Sequence, residues 1–376
     1  MSALRIALVG CGKIADQHVD AIRRIPFASI VGTCDRELLM AQQIAERNGI
    51  PHATGDLQTL LAEARPDIVH ITTPPAGHFE LAMQCLDAGA HVYVEKPFTI
   101  TAGEASKLLD RSRERRLHLT AGHNLQHTWE MIEARQLVRQ GFLGGAPLHI
   151  ESYYNYAFGD GQYAKALLGD RQHWIRRLPG QLLHNIISHG IARIAEHLQS
   201  DDPTVVAFGH TSPLLRSIGE DSIIDEVRVH LSDGRNTTGY FVFSSQFSPP
   251  VNGVRIYGPK NSLVVDNVHH TLVRLRSRPY KSYLNYFLPP VHQAFEHLRN
   301  SRRNIGRFLR ADFHDDSGLK NCIEAFYRSV RDGGEPPVSH REILLTAVIM
   351  DRIFAQLSTQ LESAKTTPPP VEHARV

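Results

Sequence analysis

"RIALVGCGKIA", residues 5–15, joins an apolar run to a glycine turn and then to an amphipathic stretch, "KIADQHVDAIRRI". Strand, turn and helix in that order contain a G-x-G-x-x-A pattern. Gly10 permits the tight turn, Gly12 lets backbone approach a pyrophosphate, and Ala15 lets the helix lie close to the strand. The free N–H groups at the start of such a helix hold a phosphate, so the loop with Lys13 and Ile14 reads as a dinucleotide cradle. The alternative is a glycine turn in an unrelated α/β domain, with Asp35 as a solvated strand end. Asp35 closes the second apolar run, roughly twenty residues on, where a carboxylate accepts hydrogen bonds from ribose hydroxyls. That favours NAD. Arg36 beside it could instead pair with a 2′-phosphate, which keeps NADP as the alternative.

Outward from this stretch, "SIVGTCD" (29–35), "DIVHITT" (67–73), "HVYVEKP" (91–97) and "LHLTAGHN" (117–124) are too uniformly apolar for a one-sided sheet. Strands of that kind are buried on both faces. Between them lie the helical stretches "ELLMAQQIAERNG", "GHFELAMQCLDAGA" and "AGEASKLLDRSRERR", the first two closed by Gly49 and Gly89 as helix C-caps would be. The alternation predicts an α/β Rossmann domain, a doubly wound parallel sheet, over residues 1–124. Past residue 125 the candidate strands are "LHIESYYNYAF" (148–158), "PTVVAFGHT" (203–211), "DEVRVHLSDG" (225–234), "NTTGYFVFSSQ" (236–246), "GVRIYGPKNSLVVD" (253–266) and "HTLVRLR" (270–276). They predict an α+β domain, residues 125–361, with an open, mainly antiparallel sheet whose free face awaits a partner. Two helices, 319–333 and 340–361, close it before a tail, 362–376, that reads as disordered.

The 376-residue length suits two domains, and a formal charge of +2 gives no general reason to expect nucleic acid. Cys11, Cys34, Cys85 and Cys322 are scattered without C-x-x-C spacing, which argues against a zinc ribbon or a disulfide framework. No secretory signal and no stretch of membrane-spanning length is legible, so a cytoplasmic location without a transmembrane segment is expected. His123 and His127 have metal-ligand spacing but no third ligand, so no metal is expected. The segment from Arg274 to Arg310, part of an excursion over 274–312, sets nine Arg and Lys residues against the single acid Glu296, interleaved with aromatics. It suits an anionic membrane surface in peripheral contact, a diphosphate-bearing sugar, a neighbouring subunit, or a solvated face over a domain junction.

"HVYVEKPF" (91–98) ends an apolar run in a charge pair locked by a proline, an arrangement suited to holding Lys96 still. Together with "VGCGKIA", "CDR", "TTPPAGHFELAMQCLDAGAHVYVEKP", "AGHN", "HWIRRLPGQLLHNIISHG" and "VRIYGPKNSLVVD" it resembles the glucose-fructose oxidoreductase and inositol dehydrogenase family, Gfo/Idh/MocA, over nearly the whole chain. The resemblance implies an NAD(P)-dependent dehydrogenase acting on CH–OH groups of sugars, polyols or nucleotide sugars. In such proteins the lysine of the E-K-P element projects into the crevice between nicotinamide and substrate, where an ammonium stabilises developing alkoxide. "GQLLHNIISHGIARIAEHL" (180–198) reads as one helix with Asn185 and His189 four residues apart on one face, where the family's catalytic helix carries an aspartate and a histidine. A neutral histidine is suited to move the hydroxyl proton, whereas asparagine cannot offset an imidazolium charge. That departure opens a second reading, an inactive NAD(P)-binding sensor of the same fold.

By the same resemblance Thr73, His78, Glu95 and Asn124 belong to the cofactor crevice, with a satisfied loop histidine as the alternative for His78. Trp174 and Arg176 resemble a W-x-R element before the catalytic helix. Arg176 would bind a substrate carboxylate or phosphate, or else form a salt bridge within its domain. His184, one position off the catalytic face, is assigned to the substrate side or to a supporting role. The uncovered sheet face implies a homodimer or homotetramer.

Overall fold

The computed structural model describes residues 3–158, 161–310 and 317–366. Six parallel strands, β1 (Leu4–Val9), β2 (Ala28–Cys34), β3 (His52–Thr54), β4 (Ile68–Ile71), β5 (His91–Val94) and β6 (Leu119–Ala121), lie in the order β3-β2-β1-β4-β5-β6. The order reverses between β1 and β4, and a ligand crevice forms beyond the strand ends at such a point. All four residues of β4 are buried, as a strand covered by helices on both faces requires. The helix Lys13–Arg23 turns Ala15, His18, Val19 and Ile22 inward.

The domain limits are not linear in sequence. The helix Ser317–Asp332 packs Leu319, Cys322, Ile323, Phe326 and Tyr327 against Ile6, Leu8 and Tyr93, completing the first domain with residues from far beyond 124. The last helix, His340–Thr366, lends Ile343 to the first core and Ile349, Ile353 and Phe354 to the second. It runs past the expected end at 361, and residues 367–376 of the expected tail lie outside the described residues.

The second sheet comprises β7 (His149–Asn155), β8 (Thr204–His210), β9 (Glu226–Ser232), β10 (Thr238–Ser244), β11 (Gly253–Tyr257), β12 (Asn261–Asp266) and β13 (Thr271–Arg276), in the order β13-β12-β11-β7-β10-β9-β8. All neighbours are antiparallel except β7 and β10, because the chain leaves β7 through a run of helices, re-enters at the far edge strand β8 and comes back through β9 to β10. The helices Ser188–Ala195 and His340–Thr366 cover one face. On the other, Val206 and Phe208 of β8 and Arg255 of β11 stay exposed. Along the β13 edge lies a helix, Leu288–Leu309, formed by the basic excursion.

Candidate active site

Gly10 has φ +97°, and a Cβ there would lie 2.7 Å from the backbone of Thr72 and Thr73, so only glycine fits where the ends of β1 and β4 meet. Gly12 has open space where a side chain would stand, and the helix Lys13–Arg23 starts without a side-chain cap. Its first N–H groups are therefore left for a ligand. Asp35 reaches over the same loop: Oδ2 accepts from Cys11 N at 2.6 Å and Oδ1 from Glu37 N at 2.9 Å. Those bonds fix the carboxylate and leave lone pairs for ribose hydroxyls. Lys13 and Arg36 are exposed at the mouth, Ile14 is half-buried, and the Thr73 hydroxyl is buried with no partner. An open glycine, an uncapped helix start and an anchored carboxylate fit a dinucleotide.

Beyond β5 the chain passes through Glu95, Lys96 and Pro97, with a cis Lys96–Pro97 bond. Glu95 is buried; its Oε2 accepts from Lys96 N at 3.1 Å and its Oε1 meets His18 Nε2 at 3.0 Å. From there a buried chain continues, His18 Nδ1 to His70 Nδ1 at 2.8 Å and His70 Nε2 to the Tyr327 hydroxyl at 2.8 Å, with Tyr93 stacked on His70. Burial holds His70 neutral and keeps the Tyr327 phenol protonated. The arrangement that uses every hydrogen has Tyr327 donating to His70, His70 to His18 and His18 to Glu95. All three dipoles then favour a negative Glu95. Burial opposes its charge, but the His18 hydrogen bond and Lys96 outweigh burial and hold its pKa below the ordinary value. Lys96 is lowered by burial, with Glu95 acting the other way.

The Lys96 ammonium crosses from the first domain to the second, donating to the Asn185 carbonyl at 3.0 Å. The single helix expected over 180–198 is two, Gln181–Ile186 and Ser188–Ala195, broken at Ile187. Carbonyls near such a helix end lack an intrahelical donor, which suits this one to receive an ammonium. All eight residues of the second helix are buried, and Gly190 lies so close to Phe241 that a Cβ would sit 2.1 Å from the ring. His189 on this helix has Tyr154 and His123 as ring neighbours at 6.0 and 6.5 Å, and its Nδ1 has no partner. Burial, and then the charges of Lys96 and other neighbours, keep its pKa well below the ordinary value. A neutral imidazole beside an ammonium can take a proton from a hydroxyl that the ammonium polarises. Among the described residues the Asn185 side-chain amide makes no hydrogen bond.

The remaining expected residues divide. His78 is fully buried between two carbonyls, Nδ1 to Pro97 O at 2.9 Å and Nε2 to Thr73 O at 2.8 Å, so it ties the β4 loop to the Lys96 loop and has no nitrogen left for a cofactor. Asn124 begins a short turn after β6, its side-chain oxygen buried and unpartnered. Arg176 is committed to Glu220 through two hydrogen bonds, at 2.5 and 3.2 Å, which favours its salt-bridge alternative over anion binding. Trp174 packs on the second core, and His184 stacks on Phe354 with burial pushing its pKa down to about 4. Among the described residues no three His, Cys, Asp or Glu side chains form a metal-holding group. Sequence reading passed over His18, His70, Tyr93 and Tyr327. For His70 and Tyr93 the signal was a polar residue inside an apolar run, "DIVHITT" and "HVYV", whereas His18 and Tyr327 lie in amphipathic stretches that give none.

Residues 4–123 match the model of an oxidoreductase family with an NAD-binding Rossmann fold. A D-glucoside 3-dehydrogenase of Escherichia coli is 31% identical over 144 residues, 38% of this chain and 41% of that protein. The chain thus spans less than half the length of that curated relative. Across the whole chain the fold is that of solved dehydrogenases. The UDP-N-acetylglucosamine 3-dehydrogenase of Acidithiobacillus ferrooxidans superposes with a TM-score of 0.72 at 20% identity, covering 96% of this chain and 100% of that one. The WlbA dehydrogenase of Bordetella pertussis, solved with NADH and UDP-GlcNAcA, gives 0.75 at 18% identity, covering 96% of each chain.

Proposed function

Because residues 4–123 match an oxidoreductase family with an NAD-binding Rossmann fold, we propose that the chain is a member of the Gfo/Idh/MocA family and transfers hydride between a hydroxyl of a sugar, polyol or nucleotide sugar and nicotinamide. Bound NAD supplies the hydride acceptor. Gly10, Gly12 and the helix start hold its pyrophosphate, and Asp35 its ribose. Lys96 stabilises the alkoxide that forms as the hydroxyl loses its proton, and His189 takes that proton. The observation that carries the reading is the bond from Lys96 Nζ to the Asn185 carbonyl, which brings the ammonium of one domain to the helix pair that bears His189 in the other. The names of the relatives, a glucoside and a UDP-sugar dehydrogenase, support a carbohydrate substrate. Exposed Val206 and Phe208 on the open sheet face support a homodimer or homotetramer.

The test is nicotinamide fluorescence of the purified protein given NAD and a panel of polyols, free sugars, sugar acids and nucleotide sugars. Reduced cofactor with one class supports a dehydrogenase and names its substrate. Asn185 favours a second reading, a sensor that binds NAD without turnover, since an amide cannot balance an imidazolium. Tight NAD binding with no reduction by any compound, even at alkaline pH, would establish that reading instead.

A further inference from the structure

The helix Leu288–Leu309 is docked inside out. Its inward positions are polar. Glu296 receives Arg274 at 2.7 Å, Arg299 reaches Glu133 at 2.8 Å, and Arg303 pairs with Glu133 as well. Asn300 is buried and bonds both ways to the backbone of Leu272 on edge strand β13, its Nδ2 donating at 2.9 Å and its Oδ1 accepting at 3.2 Å. Asn304 donates to the His269 carbonyl at 3.1 Å. Arg307 lies over the Trp129 ring. With these contacts fixing its rotation, the helix turns its apolar side to solvent: Phe295 is 64% exposed, Leu298 66% and Phe308 71%, beside Val291, Ile305 and Leu309. Tyr286 and Phe287, just before the helix, are exposed too. Ordinary surface helices do the reverse, so this face has an apolar partner.

Charge selects the partner. Arg278, Lys281 and Arg310 are exposed around the apolar face and Arg302 stands within it, and from 277 to 310 the only acid is Glu296, already paired inward. Asp312, Asp315 and Asp316, next along the sequence, lie outside the described residues. A second copy of the same face would meet like charge. An anionic bilayer offers negative headgroups and an acyl boundary together, and a helix with cations flanking an aromatic and aliphatic face lies in that boundary. No described helix is long and apolar enough to cross a membrane. We infer that residues 278–310 form a peripheral docking surface for anionic lipid bilayers, lying flat in the headgroup layer.

The experiment is co-sedimentation of the full chain with vesicles of phosphatidylcholine alone and of phosphatidylcholine mixed with phosphatidylglycerol, at low and high salt. Binding to the mixed vesicles, weak with phosphatidylcholine alone and weakened by salt, is expected. The variant Phe295→Glu/Leu298→Glu should lower partitioning by about 100-fold or more. Its thermal midpoint and NAD binding should match the wild type, because both positions are exposed. Arg278→Glu/Arg310→Glu leaves the apolar face intact and should weaken binding by about tenfold or more. Failure to sediment with the mixed vesicles, or equal binding to both vesicle types, overturns the proposal. So does a dimer in analytical ultracentrifugation that Phe295→Glu/Leu298→Glu splits without any vesicle binding, which assigns the face to a second copy.

Discussion

Burial and the positive neighbours Lys96 and Arg193 hold His189 neutral, and a base in that state is ready at any pH above its own depressed pKa. Protonation abolishes its use, so the acid limb of kcat/KM belongs below the ordinary histidine value of about 6.5. The expected profile is flat through about pH 6.5 and falls only at lower pH; a limb centred near or above that value would mean that His189 is not the base. Replacing it in His189→Ala should lower kcat by about 10²- to 10⁴-fold with little change in NAD affinity. Asp35 makes a different demand. In the proposed site its carboxylate would face ribose hydroxyls and repel a 2′-phosphate, so Asp35→Ala should weaken NAD far more than NADP, as fluorescence titration of the two cofactors would show. Similar losses for both would remove Asp35 from the ribose site.

The helix Ser188–Ala195 carries the proposed base, His189, and its place is set by how closely it approaches β10. Gly190 against Phe241 leaves no room for a methyl group, and Arg193 is tied at the other end to Asn267 Oδ1 at 2.7 Å. Gly190→Ala should therefore cost about 1–3 kcal/mol of stability and shift His189 away from Lys96. Adding Phe241→Leu opens space at the ring and should restore part of both losses, measured by urea unfolding and by turnover; no recovery of either would place the constraint elsewhere. This element also shows where sequence reading stops. The resemblance pointed to Asn185 and His189, but the break at Ile187 was not legible, because no proline or glycine marks it and tertiary packing decides it. The Gly10 turn was legible from local chemistry alone. The Glu95–His18–His70–Tyr327 chain was not, since its members come from four separate stretches that only the folded sheet and a helix beyond residue 316 bring together.

At the scale of the molecule the buried histidines set a limit on acid stability. Burial pushes His127 down to about 3 and His123 and His184 down to about 4, whereas an unfolded chain binds protons at all three near 6.5. The unfolded state then binds more protons, so the native state is favoured fully above that value and loses stability as pH falls through it. By about pH 5 each should have lost about 2 kcal/mol, a large part of a typical domain's margin. Urea midpoints should fall steeply between about pH 7.5 and 5, and a flat response would show that these side chains are hydrated or paired in the folded protein.

Both domains are held by apolar cores, whereas the helix Leu288–Leu309 is held by ion pairs and amide hydrogen bonds. Sulfate salts strengthen the first kind of attachment and screen the second. Raising ionic strength therefore separates two attachments that are cooperative at low salt: the body tightens while this helix opens locally, making it the segment a protease reaches first in a concentrated salt solution.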